Sequence, residues 1–399
     1  MISDRWLLPE GFDEVLPPEA GRLERLRREI LDLYAGWGYQ LVIPPFIEYL
    51  QSLLVGTGSD LDLKTFKLTD QLTGRLMGIR ADMTPQVARI DAHHLRGENC
   101  ARLCYLGTVL HALPDGFTRT RSPVQVGAEL YGHAGFESDC EILSLMLETL
   151  AAARVDDVHV DLGHVGVFRA LAGRAGIEGD LESAVHDALQ RKARGEIDDL
   201  LKGSGTDANI AGMILALAEL NGDESVLDEA RRVLSAAHGE VLAAVDRLER
   251  IAATIKTRYP GTPLHVDLAE LRGYRYHTGV VFAALVPGHG QEVARGGRYD
   301  EIGSAFGHAR PATGFSTDLK SLLALAQNVD PRGDRQGVPD AIRAPWSSEA
   351  DLDEKVKGLR REGEAVVYEL PGEARGGASA KARALRKRDG RWEITEIDE

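Results

Sequence analysis

The chain has 399 residues, 43% hydrophobic and 27% charged, a globular balance in a chain too long for one ordinary domain. Its 47 basic and 62 acidic residues leave a formal charge of −15, which opposes nucleic-acid binding unless a local basic groove overcomes it. Met1-Ile2-Ser3-Asp4-Arg5 is not a secretory leader, no apolar run approaches the ~20 residues that span a bilayer, and three cysteines make no disulfide framework; a cytoplasmic protein without a membrane partner is expected.

In chain order, Leu23, Leu26, Ile30, Leu31, Leu33 and Tyr34 recur at helical spacing over 20–38, and Gly36-Trp37-Gly38 ends the run. Residues 39–48 read as one strand, with Pro44 and Pro45 suiting a sheet edge. Residues 66–70 and 76–80 flank Thr73-Gly74 as a hairpin. Thr84 is placed to cap a helix that Pro85 opens and that runs from Gln86 to His94. Alternating segments at 101–110 and 124–131, a helix at 137–153 and a strand at 158–162 follow.

Residues 165–258 change to an Ala-, Leu-, Glu- and Arg-rich helical pattern without a convincing strand. Strand patterns return at 264–268 and 280–285, and a helix is expected over 315–327. Residues 328–337 have a linker's composition. Beyond them the alternation reads strand 341–346, helix 349–362, strand 364–370, helix 379–388 and strand 391–397. The expected units are 1–164, a helical insertion 165–258, 259–327, and a linker with a small domain over 328–399.

Phosphate-loop and dinucleotide fingerprints are absent. His93, His94, Cys100 and Cys104 lack a second pair at zinc spacing, so no metal is expected. Asp156-Asp157 reads as a solvated turn, and the basic run Lys381–Arg388 as a solvated helix face. No cofactor is expected.

An ordered series of blocks stands out: Pro9-Glu10-Gly11-Phe12-Asp13, Arg80-Ala81-Asp82-Met83-Thr84, Gln125-Val126-Gly127-Ala128-Glu129, Arg272-Gly273-Tyr274-Arg275-Tyr276-His277-Thr278-Gly279, Gly296-Gly297-Arg298-Tyr299-Asp300 and Pro311-Ala312-Thr313-Gly314-Phe315. Together they resemble the class II aminoacyl-tRNA synthetases, histidyl-tRNA synthetase in particular, over residues 1 to about 325. The resemblance implies an α+β fold, an antiparallel sheet flanked by helices, with a helical insertion and a small C-terminal α/β remnant.

It also implies a histidine pocket. Asp82 and Thr84 would accept from the ammonium, Gln125 would bridge toward the carboxylate, and Glu129 would take an imidazole N–H. Arg272 would meet a carboxylate or other anion, with Tyr276 and His277 on the far side of the ring. Asp82 is shorter than the synthetase's Glu, and His277 stands where it has Tyr.

The adenylate-forming positions differ. His111 stands at the second-motif arginine, Leu113 at the adenine-reading glutamate, and Ser321 at the third-motif arginine, while Asp318 replaces a small Gly. Losing one transition-state donor costs ~100- to 1,000-fold in rate. Arg119 and Arg121 remain in the intervening loop, either to meet an anion or simply solvated.

A histidine pocket without ATP handling resembles the synthetase-like regulatory subunits of ATP phosphoribosyltransferase. That resemblance implies no catalysis, a short-form catalytic ATP phosphoribosyltransferase subunit as partner, histidine as effector, and a homodimer within a hetero-octamer. Nucleic acid is not expected. The alternatives are a working histidyl-tRNA synthetase, or a synthetase paralogue that binds RNA or modifies a protein.

Overall fold

In this computed structural model, residues 7–55, 59–95, 97, 99–114, 120–237, 239–326, 341–372 and 382–397 are described. The chain divides into two compact units, Met1–Glu14 with Leu26–Ala326, and Val15–Arg25 with Gln327–Glu399.

The larger unit is built on a nine-stranded sheet. Its spatial order is Gln40–Leu41, Ala101–Thr108, Val124–Tyr131, Ala312–Asp318, Ala294–Arg298, Val280–Leu285, His159–His164, Leu264–Asp267 and Asn221–Gly222. Pairing is antiparallel except for Gln40–Leu41 on Ala101–Thr108 and His159–His164 on Leu264–Asp267. Val126, Ala128 and Leu130 of Val124–Tyr131, one face of an alternating strand, are buried with Phe315 of the next strand.

The helix Phe136–Ala152 lies against this sheet, burying Ile142, Leu143, Met146 and Leu150. Its first turn is held by Arg298, which donates to Asp139 Oδ1 at 3.0 Å, to Ser138 Oγ at 2.8 Å and to the carbonyls of His133 and Gly135. Arg298 is thus a framework residue. The helix Glu19–Gly36 buries Leu26, Ile30 and Tyr34 at four-residue spacing, and Tyr34 meets Phe315 edge-on at 6.2 Å.

Several expectations are corrected. The strand over 39–48 is two short ones, because Pro44 and Pro45 donate nothing to a ladder. Gln40–Leu41 joins the large sheet, whereas Ile47–Tyr49 pairs with Leu76–Ile79 in a three-stranded sheet. The hairpin Phe66–Thr69 to Leu76–Ile79 forms as read, with Asp70 accepting from Leu72 N and Thr73 Oγ1 in its turn.

Thr84 lies inside its helix, Thr84–His94, and does not cap it; Asp82 Oδ1 takes the Thr84 N–H at 2.9 Å instead. The helix expected over 315–327 begins at Leu319, because Ala312–Asp318 is a strand paired on both edges. Ala294–Arg298, a strand not anticipated, lies beside it.

Between Val165 and Arg258, six helices are described: Val165–Ala175, Gly179–Gln190, Arg194–Ser204, Ala208–Leu217, Val226–Val233 and Gly239–Arg258. One two-residue strand, Asn221–Gly222, returns from them to the sheet edge at Leu264–Asp267. The sequence reading missed it.

The smaller unit holds a four-stranded sheet in the order Val366–Glu369, Ile342–Pro345, Ala382–Arg388, Arg391–Ile397. The helix Ala350–Arg361 packs Leu352, Val356 and Leu359 against Ile342, Ala344, Val366 and Leu385. Ala382–Arg388 is a strand, not the helix expected over 379–388. Asp389 and Gly390 both have positive φ, 47° and 77°, and make the tight turn that pairs it with Arg391–Ile397. The basic run is consequently a strand surface, with Arg383 on Glu364 and Lys387 on Glu349 and Asp351.

Candidate functional site

The large sheet presents Glu129 on Val124–Tyr131, the third of its nine strands. Gly314 is its register partner on the adjacent strand, and a Cβ there would lie 1.4 Å from Glu129 Oε2. A Cβ on Gly127 would lie 2.5 Å from the Tyr105 hydroxyl. Glycine at these two positions is what lets a carboxylate and a phenol lie flat across the sheet.

Glu129 is 1% exposed and accepts from Tyr105 Oη at 2.9 Å and from Tyr299 Oη. Burial, with the nearby Asp82 charge, pushes its carboxyl up to about 8 against the two phenol bonds. Tyr105 Oη also contacts Thr84 Oγ1 at 2.9 Å. Asp82 Oδ1 accepts from Gln125 Nε2 at 2.8 Å, and Gln125 Oε1 accepts from Met83 N at 2.9 Å. Gln125 therefore orients Asp82 from behind.

The opposite side comes from the 271–278 loop. Tyr276 stacks on Tyr299 with centroids 5.1 Å apart and meets His277 edge-on at 5.3 Å. The buried Tyr276 hydroxyl has no hydrogen-bond partner among the described residues. His277 Nδ1 lies 3.2 Å from Arg272 O, and burial pulls the imidazole down to about 4, so it is neutral near pH 7. Arg272 is pinned by Glu270 through two bonds of 2.9 and 2.8 Å and by Glu292 at 3.1 Å.

A cavity of about 970 Å³ brings together Asp82, Thr84, Glu129, Arg272, Tyr276 and His277; Gln125 does not line it. Its deep end is acidic and aromatic. One wall is the helix Gly179–Gln190, which contributes seven of its 12 residues, among them Glu182, Ser183 and His186.

Sequence reasoning missed Tyr105, Tyr299 and this wall. Tyr299 stood inside a quoted block, and Tyr105 two residues before Gly107 on an alternating segment, but their meeting at Glu129 spans 170 and 24 residues.

The positions assigned to lost ATP handling lie outside the cavity. His111 Nε2 is 3.0 Å from Ala81 O, and the Leu113 side chain is exposed. Ser321 Oγ donates to Asp318 Oδ2 at 2.7 Å, while Asp318 Oδ1 accepts from Val124 N at 2.9 Å. Asp318 thus ties the start of the helix Leu319–Ala326 to the sheet.

Arg121 donates to the carbonyls of His111, Ala112 and Glu10 and stacks over Phe12 and Phe66. It is a buckle for the loop, which leaves little of it for an anion. Arg119 lies outside the described residues. The three cysteines are free, and no cluster of three His, Cys, Asp or Glu is placed to hold a metal among the described residues.

Residues 11–322 match the histidyl-tRNA synthetase family model, and 339–395 match that of the ATP phosphoribosyltransferase subunit HisZ C-terminal domain. The ATP phosphoribosyltransferase regulatory subunit of Alkalilimnicola ehrlichii is 58% identical over 397 residues, covering 98% of this chain and 97% of that one. This chain belongs to the ATP phosphoribosyltransferase regulatory subunits.

Members of this family carry the regulatory rather than the catalytic role in ATP phosphoribosyltransferase. The fold agrees with this membership. A solved ATP phosphoribosyltransferase regulatory subunit/histidyl-tRNA synthetase from Bacillus halodurans is similar with a TM-score of 0.79 at 25% identity, covering 93% of this chain and 94% of that one. The ATP phosphoribosyl transferase (HisG:HisZ) complex of Thermotoga maritima includes a chain of the same fold, with a TM-score of 0.57 at 18% identity over 74% of this chain and 97% of that one. Among the described residues no helix is long and apolar enough to cross a membrane.

Proposed function

We propose that this regulatory subunit is the histidine sensor of ATP phosphoribosyltransferase in the first step of histidine biosynthesis. It joins a short-form catalytic subunit in the cytoplasm, is required for that subunit's activity, and transmits feedback inhibition. The Thermotoga complex supports the partner by analogy. A dimer through the synthetase-like core, within a hetero-octamer, is the assembly that the family resemblance implies.

The carrying observation is the deep end of the cavity. Glu129 receives hydrogen bonds from two phenols, and Asp82 lies near enough to raise its pKa. Raised to about 8, the free Glu129 carboxyl keeps its proton near pH 7. A ligand that brings positive charge and N–H donors suits a site where that proton can be given up and where no cation pairs with Asp82 or Glu129 among the described residues. Histidine brings an ammonium and an imidazole, and Tyr276 and Tyr299 offer the ring a flat aromatic wall. The Tyr276 hydroxyl, without a partner among the described residues, is available to the bound ligand. Differential affinity for the two states of the complex then supplies the coupling.

Isothermal titration of the full chain, alone and with the catalytic subunit, tests the reading. Histidine binds wild type, and Glu129→Ala weakens it about 100-fold, the scale of a charge-assisted bond lost from a buried site. Absence of binding to both preparations sinks it. Adenylation is proposed to be lost with His111, Leu113 and Ser321, so histidine-dependent ATP–pyrophosphate exchange stays at background.

A further inference from the structure

The loop that forms one side of the cavity faces two ways. Tyr276 stacks on Tyr299 and His277 lines the cavity, whereas Tyr274, two residues before Tyr276, packs on the helical insertion and is only 9% exposed. Its hydroxyl donates to Glu182 Oε1 at 2.5 Å. Its ring lies 5.2 Å from His186 and 5.4 Å from Phe168, with the Arg169 guanidinium 4.9 Å over it.

Other bonds repeat the link. Arg275 donates to Ser183 Oγ at 3.1 Å, and Arg169 donates to the carbonyls of Tyr274 and His277 at 2.6 and 2.9 Å. Glu182, Ser183 and His186 occupy one face of Gly179–Gln190 at three- and four-residue spacing. The same face lines the cavity. One helix is therefore both a wall of the site and the clamp on the loop that carries its aromatic side.

We infer that Glu182 is a positioning residue for ligand affinity: by holding Tyr274 it fixes the loop that presents Tyr276 and His277 to the ligand. This rests on the histidine reading above. It makes the insertion part of the sensor and gives occupancy a route out of the cavity, since a ligand that draws on Tyr276 or His277 also loads the Tyr274–Glu182 bond. A neutral partner at 182 loses the charge assistance, and a loop free to sample other conformations binds in proportion to the time it spends in the competent one.

The test is a mutant cycle on the full-length chain, read by histidine titration and thermal unfolding. Glu182→Gln and Tyr274→Phe each weaken histidine binding about tenfold, the scale of one charge-assisted bond, with melting temperatures near wild type. The double variant is no weaker than either single, because both remove the same bond. Glu196→Gln, on the neighbouring insertion helix, leaves affinity unchanged. In wild type, histidine slows amide exchange over 179–190.

Additive effects, unchanged affinity in the two variants, or no exchange protection over 179–190 overturn the inference while the histidine reading stands. Failure of wild type to bind histidine overturns both.

Discussion

Burial moves the Glu129 carboxyl and the His277 imidazole in opposite directions on the pH scale. The Glu129 carboxyl, ordinarily near 4.5, is pushed up to about 8 in the fold by burial. Below pH 4.5 folded and unfolded chains both carry the proton, so nothing is lost there. Between 4.5 and about 8 only the unfolded chain gives it up, and stability falls with rising pH by up to about 1.4 kcal/mol per unit. Above about 8 the loss is complete.

His277, pulled from 6.5 to about 4, acts the other way, and its contribution is lost as pH falls through that window. Urea unfolding without ligand at pH 5 to 8 checks the first effect. The stability advantage of wild type over Glu129→Gln shrinks steadily as pH rises, and a constant difference would contradict it. Gly314→Ala is the steric counterpart: its Cβ meets the Glu129 carboxylate, so histidine binding is lost along with some stability. Arg298→Ala leaves Asp139, 1% exposed, without its main partner; about 3–5 kcal/mol is lost, seen in the same denaturation assay.

At the level of elements, Asp389-Gly390 decides whether the basic run is helix or strand. Gly390→Val places a β-branched residue at φ 77° and costs about 1 kcal/mol or more, read as a lower melting temperature. Period and punctuation made many elements legible in the sequence: the Leu26, Ile30, Tyr34 stripe, the Thr73-Gly74 hairpin, and the alternating segments beside Glu129. What was hidden had non-local causes.

Ala312–Asp318 is rich in Gly, Ser and Thr and looks unlike a central strand, because Gly314 must leave room for Glu129 and neither strand announces the other. Of the proposed site, the blocks named six residues that the fold does bring to one cavity. Tyr105, Tyr299 and the insertion wall were not legible, since each acts through a partner far along the chain. Nor did the motif separate Arg298, a clamp on a helix start, from residues facing the cavity.

For the whole molecule, the proposed assembly has a direct check. Size-exclusion chromatography with light scattering on the chain alone gives the dimer, and adding the short-form catalytic subunit moves both into one larger species of fixed stoichiometry. Separate elution at micromolar concentrations would count against the partnership. The net charge of −15 predicts in addition that tRNA produces no mobility shift at physiological salt.

Asp318 has a consequence of a different kind. Its carboxylate receives the Val124 N–H, the Lys320 and Ser321 N–H groups and the Ser321 hydroxyl, knitting a helix start to the sheet. Writing an arginine back at 321 removes the hydroxyl from this knot, and taking away Asp318 strands a backbone donor from the neighbouring strand. Neither step alone is neutral to the fold. The proposed loss of adenylation is then a ratchet: a descendant that regained one cation would be less stable before it was any more active.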